Sequence, residues 1–403
     1  MTAANTNPIA QLHQLQDMLI GLVENLSDAD CKQQFLPEMA SIGWYLGRSV
    51  YLETYFIREL LLQDDDMTTR VRHLFAAHIQ PDSAIFEQLP PKEHLLNWAL
   101  ELQEDNLVKL ANPAVLGNKP ALSPDWLTRY LLQLHAQTYE KILIVLQART
   151  IRDSSSDFMV TTELPGKLKP IQTTHVSQGH YRIGARENEI VFDNEQPAQM
   201  VELSNYRIAV NPVSNSAYLA FMQDNGYSQQ EFWTEAGWAW AQQSRQHPWH
   251  WRQNTNGRWF GIGISGPSEL AEDEPVAGIN HDEATAFSHW LSQQDEQYKG
   301  ALLQHEYQWE TAARLGVIKQ TGLAREWTSS QFHAYPGYEA PTIQELATSE
   351  LDQPGYMTAK GVSLHSQPSI RRISLRQPVK PHEQHWLTGA RLVFPPGKPF
   401  WEQ

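Results

Sequence analysis

The chain has 403 residues, 41% of them hydrophobic and 19% charged, with a formal net charge of −15. That length suits two or three soluble domains with sizeable cores, and the acidic balance excludes the clustered Lys and Arg surface that nucleic-acid binding needs. The lone cysteine, Cys31, excludes an intrachain disulfide and any cysteine-built zinc or iron–sulfur site.

The opening stretch MTAANTNPIAQLHQLQDML has no basic region leading into an apolar core. No run of about 18 apolar residues follows it, so no membrane span is expected and the expected location is the cytoplasm. From residue 8 to about 150 the spacing predicts helices. PIAQLHQLQDMLIGLVENL carries Leu12, Leu15, Leu19 and Leu22 on one stripe. SIGWYLGRSVYLETYFIRELLL is a second helix, from about Ser41. PPKEHLLNWALELQEDNLVKLA is a third, opened by its prolines. SPDWLTRYLLQLHAQTYEKILIVLQAR is a fourth, with Ser123 as N-cap, Pro124 at the first helical position and Asp125 in the first turn. Four long amphipathic helices with modest connections predict an antiparallel four-helix bundle over residues 1–150.

Residues 151–172, rich in Ser, Asp and Pro, read as a linker. From 173 to 397 the character changes. HVSQGHYRIGA has short β-like runs around a Gly turn, SNSAYLAFMQDNG and DEATAFSHWLSQQ read as short helices, and Gly, Pro and Trp are dense. This half is expected to be one loop-rich α+β domain.

Within it, an ordered set of motifs resembles a known family. FDNEQPAQMVELSNYRIAVNPVSNSAYLAFMQDNGY comes first, then FWTEAGWAW, EPVAGINHDEATAFSHWL, HEYQWETAARLG, GLAREWTSS and TGARLV. Together they resemble the formylglycine-generating-enzyme-like (sulfatase-modifying-factor) domain, which implies a C-type-lectin-like fold. The pairing with a helical N-terminal half, which resembles the DinB-like bundle, makes the whole chain similar to the non-heme iron sulfoxide synthases of ergothioneine biosynthesis. HAYPGYEAP and SLRQPVKP support that choice, and the absence of paired cysteines counts against formylglycine generation. The resemblance implies an oxygen-dependent enzyme with iron on three histidines, joining a sulfur or selenium donor to the ring of trimethylhistidine.

Carried over position by position, the ligand set is incomplete. In WYLGRSVYLE, Trp44, Gly47 and Glu53 match the family's second helix, but Arg48 stands at the ligand position and Tyr45 at the histidine before it. In LHAQTYEKIL, His135 matches the first ligand of the last helix, Tyr139 stands at the second, one turn along, and Lys141 replaces an acid. Arginine has no lone pair for a metal, and a tyrosine must first lose a proton whose ordinary pKa is near 10. Three readings stay open: a polar network closing a silent site, with Glu53 or Glu140 pairing Arg48; an anionic ligand or substrate held by Arg48; and a rebuilt metal site on His135, joined by a histidine such as His281 or His333.

The chain is thus expected to be a divergent, small-molecule- or protein-binding relative of the sulfoxide synthases, with an active enzyme carrying a rebuilt site as the alternative. No cofactor is assigned, Fe(II) entering only with that rebuilt site. His135 is the candidate metal ligand, Tyr139 and Tyr335 the candidate catalytic side chains, and Arg48, Trp238, Trp240, Arg376 and Arg391 the candidate substrate contacts, with the ligand placed by the resemblance in a cleft between the domains. The family's LRGGS segment reads here as GVSLHSQPS, which weakens the carry-over there. His73 and His78 lie five apart, off a shared helical face, and HPWHW sets His247 and His250 in a Trp-rich loop where stacking or a ligand contact competes with plain packing.

Overall fold

The computed structural model describes residues 7–79, 81–116, 122–155 and 157–396. Ser156, inside the expected linker, and Gly397, the expected end of the second domain, lie outside the described residues. The chain divides into two compact units. One is Met1–Arg149 with Thr342–Glu345 and His365–Ile370; the other is Thr150–Pro341, Leu346–Leu364 and Arg371–Gln403.

The first unit is helical. Helix α1 spans Pro8–Glu24, with Asn7 capping it through the amide of Ile9 at 3.0 Å. Its buried face carries Leu12, Leu15, Gln16, Leu19, Ile20 and Val23. Leu22 is only half-buried, and the buried stripe includes a polar residue, Gln16. A short α2, Asp28–Lys32, precedes α3, Ile42–Thr54, which Ser41 caps. The second helix does not stay α-helical as the spacing predicts. It widens into π-helical geometry over Tyr55–Leu62, and Gln63 ends it in the left-handed region at φ 59°. Such widened turns shift the register of side chains around the helix. Helices α4 (Asp66–Phe75), α5 (Ser83–Glu87), α6 (Lys92–Leu110) and α7 (Pro113–Leu116) follow.

Helix α8 runs Pro124–Asp153, with Ser123 accepting from the Trp126 amide at 3.3 Å. It continues past the residue 150 boundary, and Ser154 then bonds back to the Thr150 carbonyl at 2.7 Å. An aromatic cluster of Trp44, Tyr51, Phe75 and Phe86 fills the space beside α3. Gly47 makes this possible, because a Cβ there would stand 2.3 Å from the Phe75 ring.

The second unit is β-rich with short helices. Its strands are β1 (Thr173–Val176), β2 (Gly179–Ile183), β3 (Gln199–Leu203), β4 (Tyr206–Ala209), β5 (Trp251–Gln253), β6 (Trp259–Gly263), β7 (Gly266–Ser268), β8 (Leu302–Leu303), β9 (Arg325–Gln331), β10 (Met357–Lys360), β11 (Arg376–Val379), β12 (Thr388–Ala390) and β13 (Leu392–Phe394). They form two four-stranded sheets, β1-β4-β13-β8 and β11-β10-β9-β12, a β2-β3 ribbon and a β5-β6-β7 sheet. Only β9 and β12 pair in parallel among the described strands. The helices are α9 (Asn215–Gln223), α10 (Glu235–Ala241), α11 (His281–Ser292) and α12 (Glu306–Arg314), so both predicted helices form and two more appear.

The core holds Tyr218, Phe221, Trp251, Phe287, Trp290 and Trp327, and buried ion pairs run through it. Glu326 takes Arg391 through two bonds at 2.8 Å and also the Trp309 indole at 2.8 Å. Lys360 meets Glu310 at 2.9 Å, and Arg376 meets Glu306 at 2.8 and 3.1 Å. The small residue in TGARLV has a cause: a Cβ on Gly389 would stand 2.2 Å from the Val276 carbonyl oxygen.

Candidate functional site

In the helical unit, α3 and α8 carry the residues singled out in the sequence. Glu53 on α3 and His135 on α8 are buried, at 0% and 1% exposure. The Nε2 of His135 lies 2.7 Å from Oε2 of Glu53, and Nε2 of Gln16 on α1 donates to the same oxygen at 2.8 Å. A carboxylate oxygen offers only lone pairs, so the imidazole donates from Nε2, and in the neutral ring Nδ1 then carries a lone pair. That Nδ1, Oε1 of Glu53 and Oε1 of Gln16 are all buried without a hydrogen-bond partner among the described residues. All three are acceptors. A buried polar atom left so costs about 1–3 kcal/mol, and in folded proteins such atoms are sites for water, ions or ligands.

Arg48 does not join this cluster. It lies five residues before Glu53, roughly 140° round the helix at 3.6 residues per turn. Its guanidinium sits 5.7 Å from the centre of the Tyr51 ring, and its Nη1 is buried with no partner among the described residues. Neither Glu53 nor Glu140 pairs with it: Glu53 takes Gln16 and His135, and Glu140 accepts from Ser366 at 3.1 Å. Burial lowers the Arg48 pKa below its ordinary value, and the Tyr51 phenol and the Glu345 carboxylate act against that. Glu345 also hydrogen-bonds the Tyr55 phenol, whose pKa rises through burial and that carboxylate. Tyr51 and Tyr55 are stacked 6.1 Å apart.

Tyr139 is half-buried, and burial raises its phenol above the ordinary range. Lys141 lies 5.9 Å over the Tyr45 ring. Two segments far along the chain complete this unit. Residues 365–370 run backwards along α8, with His365 at 3.4 Å from Gln147, Ser366 on Glu140 and Ser369 donating to the Leu132 carbonyl at 3.3 Å. Thr342–Glu345 supplies Glu345. Sequence reading missed both segments and also missed Gln16. The eroded GVSLHSQPS stretch was the one local signal, whereas a glutamine on an apolar stripe is easily read as a tolerated exception.

The remaining candidates belong to the second unit. Tyr335 is 3% exposed, its ring lies 4.1 Å from the Arg376 guanidinium carbon, and its hydroxyl is buried without a partner among the described residues. Burial and then Glu306 hold its phenol well above the ordinary range, so it is neutral at pH 7. Arg376 grips Glu306 and donates to the carbonyls of Asn194 and His333 at 2.7 and 2.8 Å. Arg391 spends all five N–H donors: two on Glu326 and one each on the carbonyls of Ala209, Val210 and Lys319. It holds strands together and keeps no donor for a ligand. Trp238 and Trp240 are half-buried against the core, Trp240 at 6.3 Å from Trp233. His281 packs on Trp327 and meets the Thr328 carbonyl at 3.1 Å; His333 meets Gln331 at 2.9 Å and Asp352 at 3.3 Å. His73 and His78 are exposed. Among the described residues, no group of three or more His, Cys, Asp or Glu could hold a metal ion, and no helix is long and apolar enough to cross a membrane.

Residues 163–321 match the family model of the sulfatase-modifying factor enzyme 1-like domain. Proteins named hercynine oxygenase are similar over longer stretches. That of Mycolicibacterium thermoresistibile is 24% identical over 95% of this chain and 94% of its own. That of Mycolicibacterium smegmatis is 23% identical over 94% and 96%. That of Mycobacterium tuberculosis is 26% identical over 62% and 68%. A helical N-terminal region followed by a β-rich domain of this type, with similarity spanning both, makes the chain a distant homologue of the hercynine oxygenases, sulfoxide synthase-like and carrying a sulfatase-modifying factor enzyme 1-like domain.

Proposed function

We propose that the chain is a divergent relative of the sulfoxide synthases that lacks the three-histidine iron site and binds a small molecule with an anionic group at Arg48. On this reading the helical unit is a DinB-like four-helix bundle, the second unit is C-type-lectin-like, and the protein acts in the cytoplasm. The observation that carries the proposal is the pair of fates of the two ligand positions. The Nε2 of His135 is committed to Glu53 at 2.7 Å, while Arg48 holds a buried Nη1 with no partner among the described residues.

The donor set does not fit the family's iron. Arginine offers no lone pair, and burial keeps the Tyr139 phenol protonated at neutral pH. A carboxylate would meet the Arg48 fork through charge-assisted hydrogen bonds, and its charge would favour the guanidinium that burial disfavours. The stacked Tyr51 and Tyr55 rings offer an apolar wall beside it.

A second reading has its own observation. Nδ1 of His135, Oε1 of Glu53 and Oε1 of Gln16 are three buried acceptors of one cluster, and a carboxylate orienting an imidazole whose other nitrogen is open is the usual support of a metal ligand. That favours a cation on a rebuilt site, and with it an oxygen-dependent enzyme forming a carbon–sulfur bond. Elemental analysis after anaerobic loading with ferrous iron separates the two. The proposal expects no iron above background in wild type. Stoichiometric iron that disappears in His135→Ala would sink it, and oxygen uptake with thiol and hercynine would then be measured.

A further inference from the structure

The second unit uses one arrangement repeatedly to hold a carboxylate. Arg376 sends Nη1 to the Asn194 carbonyl at 2.7 Å and closes Nε and Nη2 on the two oxygens of Glu306 at 2.8 and 3.1 Å. Arg391 sends Nη1 to the carbonyls of Ala209 and Val210 at 2.9 and 2.6 Å and closes Nε and Nη2 on Glu326, both at 2.8 Å. The carbonyls fix the plane of the guanidinium, and the fixed edge then matches a carboxylate at two points.

Arg252 on β5 repeats the first half of this arrangement. Its Nη1 donates to the carbonyls of Trp249 and Trp251 at 3.0 and 2.6 Å. Among the described residues its Nε and Nη2 make no hydrogen bond, and no carboxylate lies within ion-pair distance. The side chain is half-buried. Two further basic groups stand near it. Arg245 is exposed, and His247 is half-buried with its ring 5.4 Å from that of Trp259. The Nδ1 of His247 lies 2.9 Å from the Pro248 carbonyl, which fixes the ring. Burial first, then Arg252 and Arg245, hold His247 below its ordinary range, and burial with Arg245 does the same to Arg252. Basic groups brought together without a counter-charge repel one another, in a chain whose net charge is −15.

We propose that Arg252, with Arg245 and His247 beside it, is a binding site for the carboxylate group of a small molecule, whose two oxygens meet the Nε and Nη2 edge. The Trp carbonyls hold that edge in place before the ligand arrives, so little side-chain freedom is lost on binding. The site is independent of Arg48 and of the presence of iron.

The test uses the full chain and follows the ring-proton titration of His247 by NMR, assigned with His247→Gln. Chloride is replaced by acetate or by inorganic phosphate at constant ionic strength. The expected result is a saturable rise of the His247 midpoint with acetate, by about half a pH unit or more, because a bound carboxylate offsets the neighbouring cations. Arg252→Gln is expected to raise the midpoint without acetate and to abolish the response. Arg252→Lys keeps the charge but loses the two-point edge, and should bind acetate about tenfold more weakly. A wild-type midpoint that does not move, a response to phosphate alone, or an unchanged response in Arg252→Gln would each overturn the proposal. Should Arg252→Gln fail to fold, Arg252→Lys and the exposed Arg245→Gln carry the test, and unchanged acetate affinity in both overturns it.

Discussion

Glu53 of the helical unit and five buried glutamates of the second unit are treated differently. In the second unit both oxygens of Glu195, Glu283, Glu306, Glu310 and Glu326 accept hydrogen bonds. In the helical unit Glu53 has one oxygen bonded twice and the other bonded to nothing described, beside two more open acceptors. A closed set of bonds holds a loop-rich fold in one arrangement, because removing any member leaves a buried charge. An open set stabilises less than it could, and that is the pattern expected where a site has been kept or altered for a purpose other than stability. The same difference separates the fold-holding arginines, Arg376 and Arg391, from Arg48, whose buried Nη1 has no described partner, and from Arg252, whose Nε and Nη2 make no described hydrogen bond.

The largest effect expected from this contrast is at Arg391. Arg391→Met leaves Glu326 without its cation and strips the carbonyls of Ala209, Val210 and Lys319 of their donor. A loss of about 3–5 kcal/mol is expected in urea unfolding; a loss under about 1 kcal/mol would break the comparison, since it would put a closed buried pair on a par with surface ones.

A smaller, pH-dependent effect tests an exception within the second unit. His385 is 4% exposed, its Nε2 has no partner among the described residues, and burial, then His382, push its pKa down to about 3. The unfolded chain, with an ordinary value near 6.5, binds this proton more readily than the folded one, so stability falls as pH drops below about 6.5 and continues to fall towards 3. At about 1.4 kcal/mol per pH unit the loss from this group between pH 6.5 and 5 is about 2 kcal/mol. His385→Phe should flatten that slope in unfolding measured across the range; an unchanged slope would mean the acid sensitivity lies elsewhere.

The smallest expected effect is the sharpest. Replacing the open cluster together, Gln16→Leu with Glu53→Leu and His135→Leu, should leave stability within about 1 kcal/mol of wild type or raise it, because a half-satisfied polar group gives way to apolar packing. Chemical unfolding of the triple variant decides this. A loss near that of Arg391→Met would show the cluster to be as closed as those of the second unit.

Much of the architecture was legible in the residues. The stripe Leu12, Leu15, Leu19 and the capping Ser41 and Ser123 announce their helices because spacing and capping are local. The motif GLAREWTSS marks a buried strand whose Arg325, Glu326 and Trp327 are all within 1% exposure, and the motifs from FDNEQPAQM to HEYQWETAARLG fall inside residues 163–321, which match the family model. At the candidate site the sequence pointed to Arg48 and Tyr139 as positions that differ from the ligand pattern of the resemblance and to His135 as the one that matches it, and α3 and α8 carry them. Which of them meet was not legible. The change to π-helical geometry after Thr54, the choice of Glu53 rather than Arg48 as the partner environment of His135, and the return of residues 342–345 and 365–370 to the helical unit all depend on contacts made more than 80 positions apart in the chain or on competition between faces of one helix.

The sequence by itself determined the long helices, two short helices of the second unit and the change from a helical to a β-rich half, because propensity, capping and periodicity act over a few residues. Only the tertiary structure decided which donors are spent and which are open. A guanidinium or an imidazole has the same capacity wherever it stands in the sequence; packing distributes its partners, closing every bond of Arg391 and leaving the edges of Arg48 and Arg252 without a described acceptor.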